Sequence, residues 1–273
     1  MFTHTKKLQH PAKPDRPDPL FAKKMQEILG GQYGEISVAM QYLFQGWNTR
    51  GNEKYKDLLM DTATEEIGHV EMIATMIARL LEDAPLAEQE KAADDPVIGS
   101  ILGGMNPHHA IVSGLGAMPE SSTGVPWSAG YIVASGNLLA DFRANLNAES
   151  QGRLQVARLY EMTDDKGVKD MLSFLLARDT MHQNQWLAAI KELEEQEGPI
   201  VPSTFPKALE KQSFSHKLIH FSDGAESAEQ NWLKETAPDG EPFEYEKEPK
   251  AHGEIAKLDP VPPYVHNTLP GRE

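Results

Sequence analysis

Two pairs of residues have the types and spacing for metal chemistry: Glu66 with His69, and Asp179 with His182. Each pair is an acid and an imidazole three positions apart, which on a helix puts them on neighbouring turns of one face. Leu59, Ala63, Ile73 and Ile77 follow the face of the first pair, and Met171, Leu172, Leu175, Trp186 and Ile190 that of the second. Both pairs therefore point into a core. Two more acids join apolar stripes: Glu35 beside Ile28, Val38, Ala39 and Tyr42, and Glu149 beside Phe142, Leu146 and Val156. A carboxylate and an imidazole taken out of water need a partner, and a metal ion serves both. One Glu-x-x-His alone equally describes an exposed acid next to a core histidine. Four stripes carrying such residues in order do not arise so easily by chance. Oxygen and nitrogen donors without sulfur suit manganese or iron rather than copper(I) or zinc. Two such ions about 3.5–4 Å apart can share a two-electron change.

Four long helices must position these residues. Asp18-Pro19 reads as an N-cap followed by Pro at the first helical position, opening a helix that runs to about Asn48. Gly30, Gly31 and Gly34 fall inside it, where each costs up to about 1 kcal/mol relative to Ala, so another helix or a ligand is expected to approach closely beside Glu35. The short turn 49–52 makes the helix at 53–82 its antiparallel neighbour. An irregular crossing follows at about 84–126, rich in Gly, Pro, Ser and Met. His108-His109 within it reads as loop or short-helix polarity, since adjacent helical residues diverge too far to hold one ion. Gly114-Leu115-Gly116 lacks a third glycine and a preceding strand, so it is no dinucleotide fingerprint. Further helices are expected at 128–161 and, capped by Thr163-Asp164-Asp165, at 164–195. Trp47 and Trp186 are read as core aromatics.

The arrangement predicts an all-α, ferritin-like four-helix bundle: two helix pairs joined by one long crossover, with ligands facing inward from all four. Bundles with a two-metal carboxylate site use a Glu from each of two helices and a Glu-x-x-His from each of the others. Asp179 stands where the second motif would have Glu. The bundle domain is placed at 18–197, behind an extended arm at 1–17. The segment 198–273 holds ten of the 19 prolines, lacks periodic apolar runs, and reads as a tail that must lie on something.

Composition narrows the classes. A net charge of −15 argues against nucleic acid and anionic membranes, and zero cysteines exclude disulfides, iron–sulfur clusters and thiolate sites. No secretory leader and no apolar run of spanning length is seen, so a cytoplasmic protein is expected.

GGQYGEISVAMQYLFQGW, TATEEIGHVEMIATMIARLLE, NLNAESQGR and LLARDTMHQNQWLAAI together resemble the non-heme manganese catalases over roughly 18–225. The resemblance implies disproportionation of hydrogen peroxide to water and dioxygen at two manganese ions per subunit. It implies that Glu66 bridges the ions, with Glu35 and His69 completing one site and Glu149 and His182 the other. Asp179 falls at the position of a proton-handling acid behind the ligands, and Tyr42 at that of a phenol there. Ala148 stands where some members carry arginine before the third glutamate. A homohexamer wrapped by the tails is implied. With it comes a calcium site at Asp57 and Asp61, with loop residues near Ser222 and Gly224; two solvated acids on a helix face are the plainer reading of that pair. The alternatives are a di-iron, rubrerythrin-like peroxidase or oxidase and a catalase-like structural component of a spore coat, the latter spore-associated rather than simply cytoplasmic.

Overall fold

The structure is a computed structural model; it describes residues 3–82, 107–221, 236–246, 249–251, 253–259, 261–262 and 265. It divides into two compact units, 1–203 and 204–273.

The first unit is the bundle. Helices α1 (Pro19–Gly30), α2 (Glu35–Asn48) and α3 (Glu53–Leu81) lead to a short α4 (Pro107–Ile111), then α5 (Leu138–Glu161) and α6 (Lys166–Glu197). α2 packs chiefly on α3, and α5 on α6, with α1 against the far half of α3. Sequence sets these starts: Asp18 accepts from Phe21 N, Asn52 from Lys54 N, Asn137 from Ala140 N and Asp165 from Val168 N.

Two expected spans are corrected. The single helix over 18–48 is two, because Gly31 ends α1 and Gly34 begins α2 in extended conformations. The glycines break the helix rather than lie inside it. The close approach expected from a helix or ligand beside Glu35 is made instead by a loop, at the end of α1: the Glu120 backbone packs on Gly30 where any Cβ would sit. Gln26 holds that loop by donating to Met118 O and Glu120 O and accepting from Met118 N. The helix placed at 128 starts at Leu138. Ser128 caps only a 3₁₀ turn, Ala129–Tyr131, and Gly136 at φ +82° then takes a conformation no L residue adopts easily. Trp47 is also corrected: it is 55% exposed and stacks edge-on to exposed Phe44, whereas Trp186 is fully buried.

The core is two apolar plugs. One joins α1 and the ends of α3, α5 and α6 around Met72, Met76, Ile77, Met171 and Leu175. The other joins the opposite ends around Tyr42, Leu59, Phe142 and Trp186. Glu66, His69, Glu149 and His182 occupy the layer between them, so water is kept off both sides of that layer.

The arm ahead of α1 lies along α3 and α6. His10 stacks on Phe174 at 4.6 Å and pairs with Asp170 at 2.7 Å, Gln9 donates to Glu65 O, and Arg79 donates to Ala12 O. Asp15 and α6 cap each other: Asp15 N donates to Asp165, and Lys166 N to Asp15.

The second unit contains a 3₁₀ turn at Lys207–Leu209, α7 (Gln212–Ser215) and two short parallel strands, β1 (Lys217–Ile219) and β2 (Glu244–Glu246), in register Leu218 to Tyr245. His216 pairs with Asp239 at 2.9 Å and Lys217 lies 3.7 Å from both Glu244 and Glu246. This strand pair is the one departure, among the described residues, from an all-helical chain.

Candidate metal centre

Glu35 is the first residue of α2, so the helix break turns its carboxylate inward at a helix N-terminus, where the macrodipole favours negative charge. Glu66 and His69 sit mid-α3, Glu149 mid-α5, and Asp179 and His182 mid-α6. All six are buried. Their donor atoms fall into two groups that share one residue: Glu35, Glu66 and His69, and Glu66, Glu149 and His182. Glu66 Oε2 is 2.7 Å from His69 Nδ1, and its Oε1 is 2.7 Å from His182 Nδ1. His69 Nδ1 is also 3.9 Å from Glu35, and His182 Nδ1 3.6 Å from Glu149. One carboxylate thus presents one oxygen to each group, the geometry of a bridge.

Asp179 belongs to neither group, and among the described residues its Oδ2 has no hydrogen-bond partner. Tyr42 donates to Glu149 Oε1 at 2.5 Å from behind the cluster. Ala148 is buried against the second plug. His109 is buried away from the cluster, its Nε2 3.3 Å from Gln26 Oε1. Asp57 and Asp61 lie exposed one turn apart on α3; Ser222 and Gly224 lie outside the described residues.

Packing acids and imidazoles this tightly shifts their protonation. Burial, then the charge of Glu66, pushes the Glu35 carboxyl well up; burial and Glu66 also push Glu149 up, and burial with Glu149 pushes Asp179 well up. Burial alone would raise Glu66, but the imidazoles on either side outweigh it and hold Glu66 below the usual carboxylate range. Burial opposes charge on both imidazoles, yet Glu66 and Glu65 push His69 up to about 9, and Glu149 with Glu65 and Glu66 drives His182 up. Without another cation the cluster must keep protons to balance its acids.

The residues suit a pair of hard-to-borderline divalent ions. The donors are carboxylate and imidazole only. Among the described residues His182 Nδ1, 2.7 Å from Glu66 Oε1, is a buried donor atom that a metal ion would partner.

Two features were not read from the sequence. Glu65 lies behind both imidazoles and is gripped by Arg178, at 2.5 Å from Nε and 3.2 Å from Nη2. The usable signal was spacing: Glu65 is four residues before His69, and Arg178 four before His182. Gln41, Gln45 and Asn145 form a closed, buried amide ring between α2 and α5 that also takes Val133 N and O. It fastens the end of the crossover one turn from Glu149, and no periodicity signals it.

Fold and site together define a ferritin-like bundle protein with a buried carboxylate–imidazole cluster whose donor groups could hold metal. Residues 1–271 match the family model of manganese containing catalases. The chain is 89% identical, over all of both chains, to a manganese catalase of Bacillus subtilis (strain 168), and 52% identical to one of Lactiplantibacillus plantarum, covering 98% of this chain and 99% of that one. A solved manganese catalase from Anabaena superposes with a TM-score of 0.73 at 27% identity, over 91% of this chain and 100% of the other. The chain belongs to the manganese containing catalases, and catalase activity on hydrogen peroxide with manganese as cofactor comes with that membership. As an activity, catalase replaces the di-iron peroxidase or oxidase reading and a purely structural role. No helix among the described residues is long and apolar enough to cross a membrane.

Proposed function

We propose that Glu35, Glu66, His69, Glu149 and His182 hold two manganese ions in each chain, with Glu66 bridging them. The observation that carries this is the sharing of Glu66 by both donor groups, one oxygen to each. When bound, the pair of ions supplies the two-electron change that lets one peroxide be reduced to water and another oxidised to dioxygen. The chain's own residues do the rest. The two plugs exclude water, so that charges in the layer act at low dielectric. Tyr42 steadies Glu149 through its hydrogen bond. Each half-reaction moves two protons, and Asp179 takes and returns one of them while solvent at the centre carries the other: it is buried, outside both donor groups, and among the described residues its Oδ2 has no hydrogen-bond partner.

Assembly is read from the tail. A proline-rich segment whose sequence lacks periodic apolar runs supports a homohexamer in which 198–273 covers neighbouring subunits. Removing 226–273 is expected to shift the mass in solution to smaller species, and an unchanged hexamer rules this out. Calcium at Asp57 and Asp61 is a subsidiary expectation, checked by calcium analysis of the assembled protein.

Elemental analysis of purified protein paired with oxygen evolution from peroxide tests the metal reading. Two manganese per chain with oxygen release is expected. Stoichiometric iron without oxygen release, or one manganese per chain, overturns it.

A further inference from the structure

The outer nitrogens of the two ligand imidazoles face one carboxylate. Glu65 Oε1 lies 3.6 Å from His69 Nε2, and Oε2 lies 3.2 Å from His182 Nε2. The rings are 5.8 Å apart between centroids and tilted by 30°, close enough for the two oxygens of one group to address both. Among the described residues neither Nε2 makes a hydrogen bond, and the Glu65 oxygens are the acceptors that face them. Arg178 grips the same carboxylate as a fork, Nε on one oxygen and Nη2 on the other, which fixes its plane. The backbone of Glu65 is held as well, by Gln9 of the arm. Both imidazoles are fully buried, while Glu65 and Arg178 are half-buried, so the pair closes the layer toward the outside.

We infer that Glu65, held by Arg178, is a positioning residue that orients both ligand histidines at once, so that the two metal sites share one support. An imidazole that ligates a metal through Nδ1 must keep its proton on Nε2, and an acceptor at Nε2 fixes that tautomer and the ring's orientation. Two ligands served by two separate acids would fail independently. Here loss of one carboxylate withdraws the acceptor from both rings together. Sequence position fits this role: Glu65 precedes the bridging Glu66, so α3 presents one carboxylate inward to the metals and the next to the backs of the histidines.

This rests on the ligand assignment above, and the test separates the two. Manganese(II) affinity of the intact protein is measured by chelator competition, with the EPR signal of the manganese pair as a second readout. Glu65→Gln keeps the size of the side chain but cannot accept from both rings or pair with Arg178. It is expected to weaken both sites together by about 10–100-fold, the usual scale for losing such a partner. Arg178→Lys keeps the charge but not the fork, so a smaller loss is expected, again at both sites. Glu71→Gln, an exposed change on the same helix whose partner is His4, is the control and should bind as the parent does. Thermal melts without metal exclude misfolding as the cause. Parent affinity in both Glu65→Gln and Arg178→Lys overturns the role of Glu65, as does loss confined to one site. Parent protein that takes up no manganese overturns the ligand assignment instead.

Discussion

Gly167→Ala should loosen the N-terminal arm. Gly167 is the second residue of α6, and a Cβ there lands on the carbonyl oxygen of Lys13, with the Lys13 carbonyl carbon at 2.9 Å and Pro14 Cα at 3.1 Å. All three are backbone atoms, so no side-chain rotation relieves the contact. Forcing such overlap costs about 1–3 kcal/mol, while alanine's better helix propensity acts with the arm docked or lifted and cancels from the docking equilibrium. The strain of about 1–3 kcal/mol therefore acts wholly against docking, or about 5–150-fold in the docking equilibrium. The contacts at stake are the mutual caps of Asp15 and Asp165, the buried Ala12 and the His10–Phe174 stack. Leu8 packs against the core when the arm is down, so chymotrypsin cleavage after Leu8 reports lifting. Where opening is fast, the cleavage rate follows the open population and should rise by the same factor. Gly130→Ala is the control, since its Cβ meets only Ser128 Oγ at 3.4 Å. An unchanged rate in Gly167→Ala would refute the argument that the arm backbone is fixed against α6.

Three further outcomes are expected. Glu66→Gln should lose manganese from both sites, seen by elemental analysis, because it removes the shared donor. Asp179→Asn should keep both ions yet slow oxygen release by roughly 10²-fold, the scale of lost acid–base help; an emptied site would make Asp179 a ligand, and parent turnover would make it only structural. Gly30→Ala drives a Cβ into the Glu120 backbone, so the melting temperature should fall, by on the order of 5 °C if the strain is about 2 kcal/mol.

The sequence by itself determined whatever depends on neighbours along the chain. Glu66 and His69 share a helix face because three residues bring the helix round by nearly one turn, and the apolar stripes of α3 and α6 say which way that face points. The caps at Asp18 and Asp165 are equally local, being side chains that bond to a backbone amide three residues ahead. Tertiary structure decided the rest. The glycines at 30–34 read as tolerated inside a helix, but the approach of Glu120 from 90 residues away makes the break the better solution. Ser128 and Asn137 are both plausible caps, and the path of the crossover over Gln41 and Gln45 selects the second. Trp47 looks like core by type, yet α2 turns it outward because Tyr42 and Gln45 claim the inward face. Glu65 and Arg178 sit on different helices, and only packing shows that one carboxylate stands behind two histidines. Periodicity reports the direction of a side chain; what it meets there is fixed by residues far away in the chain.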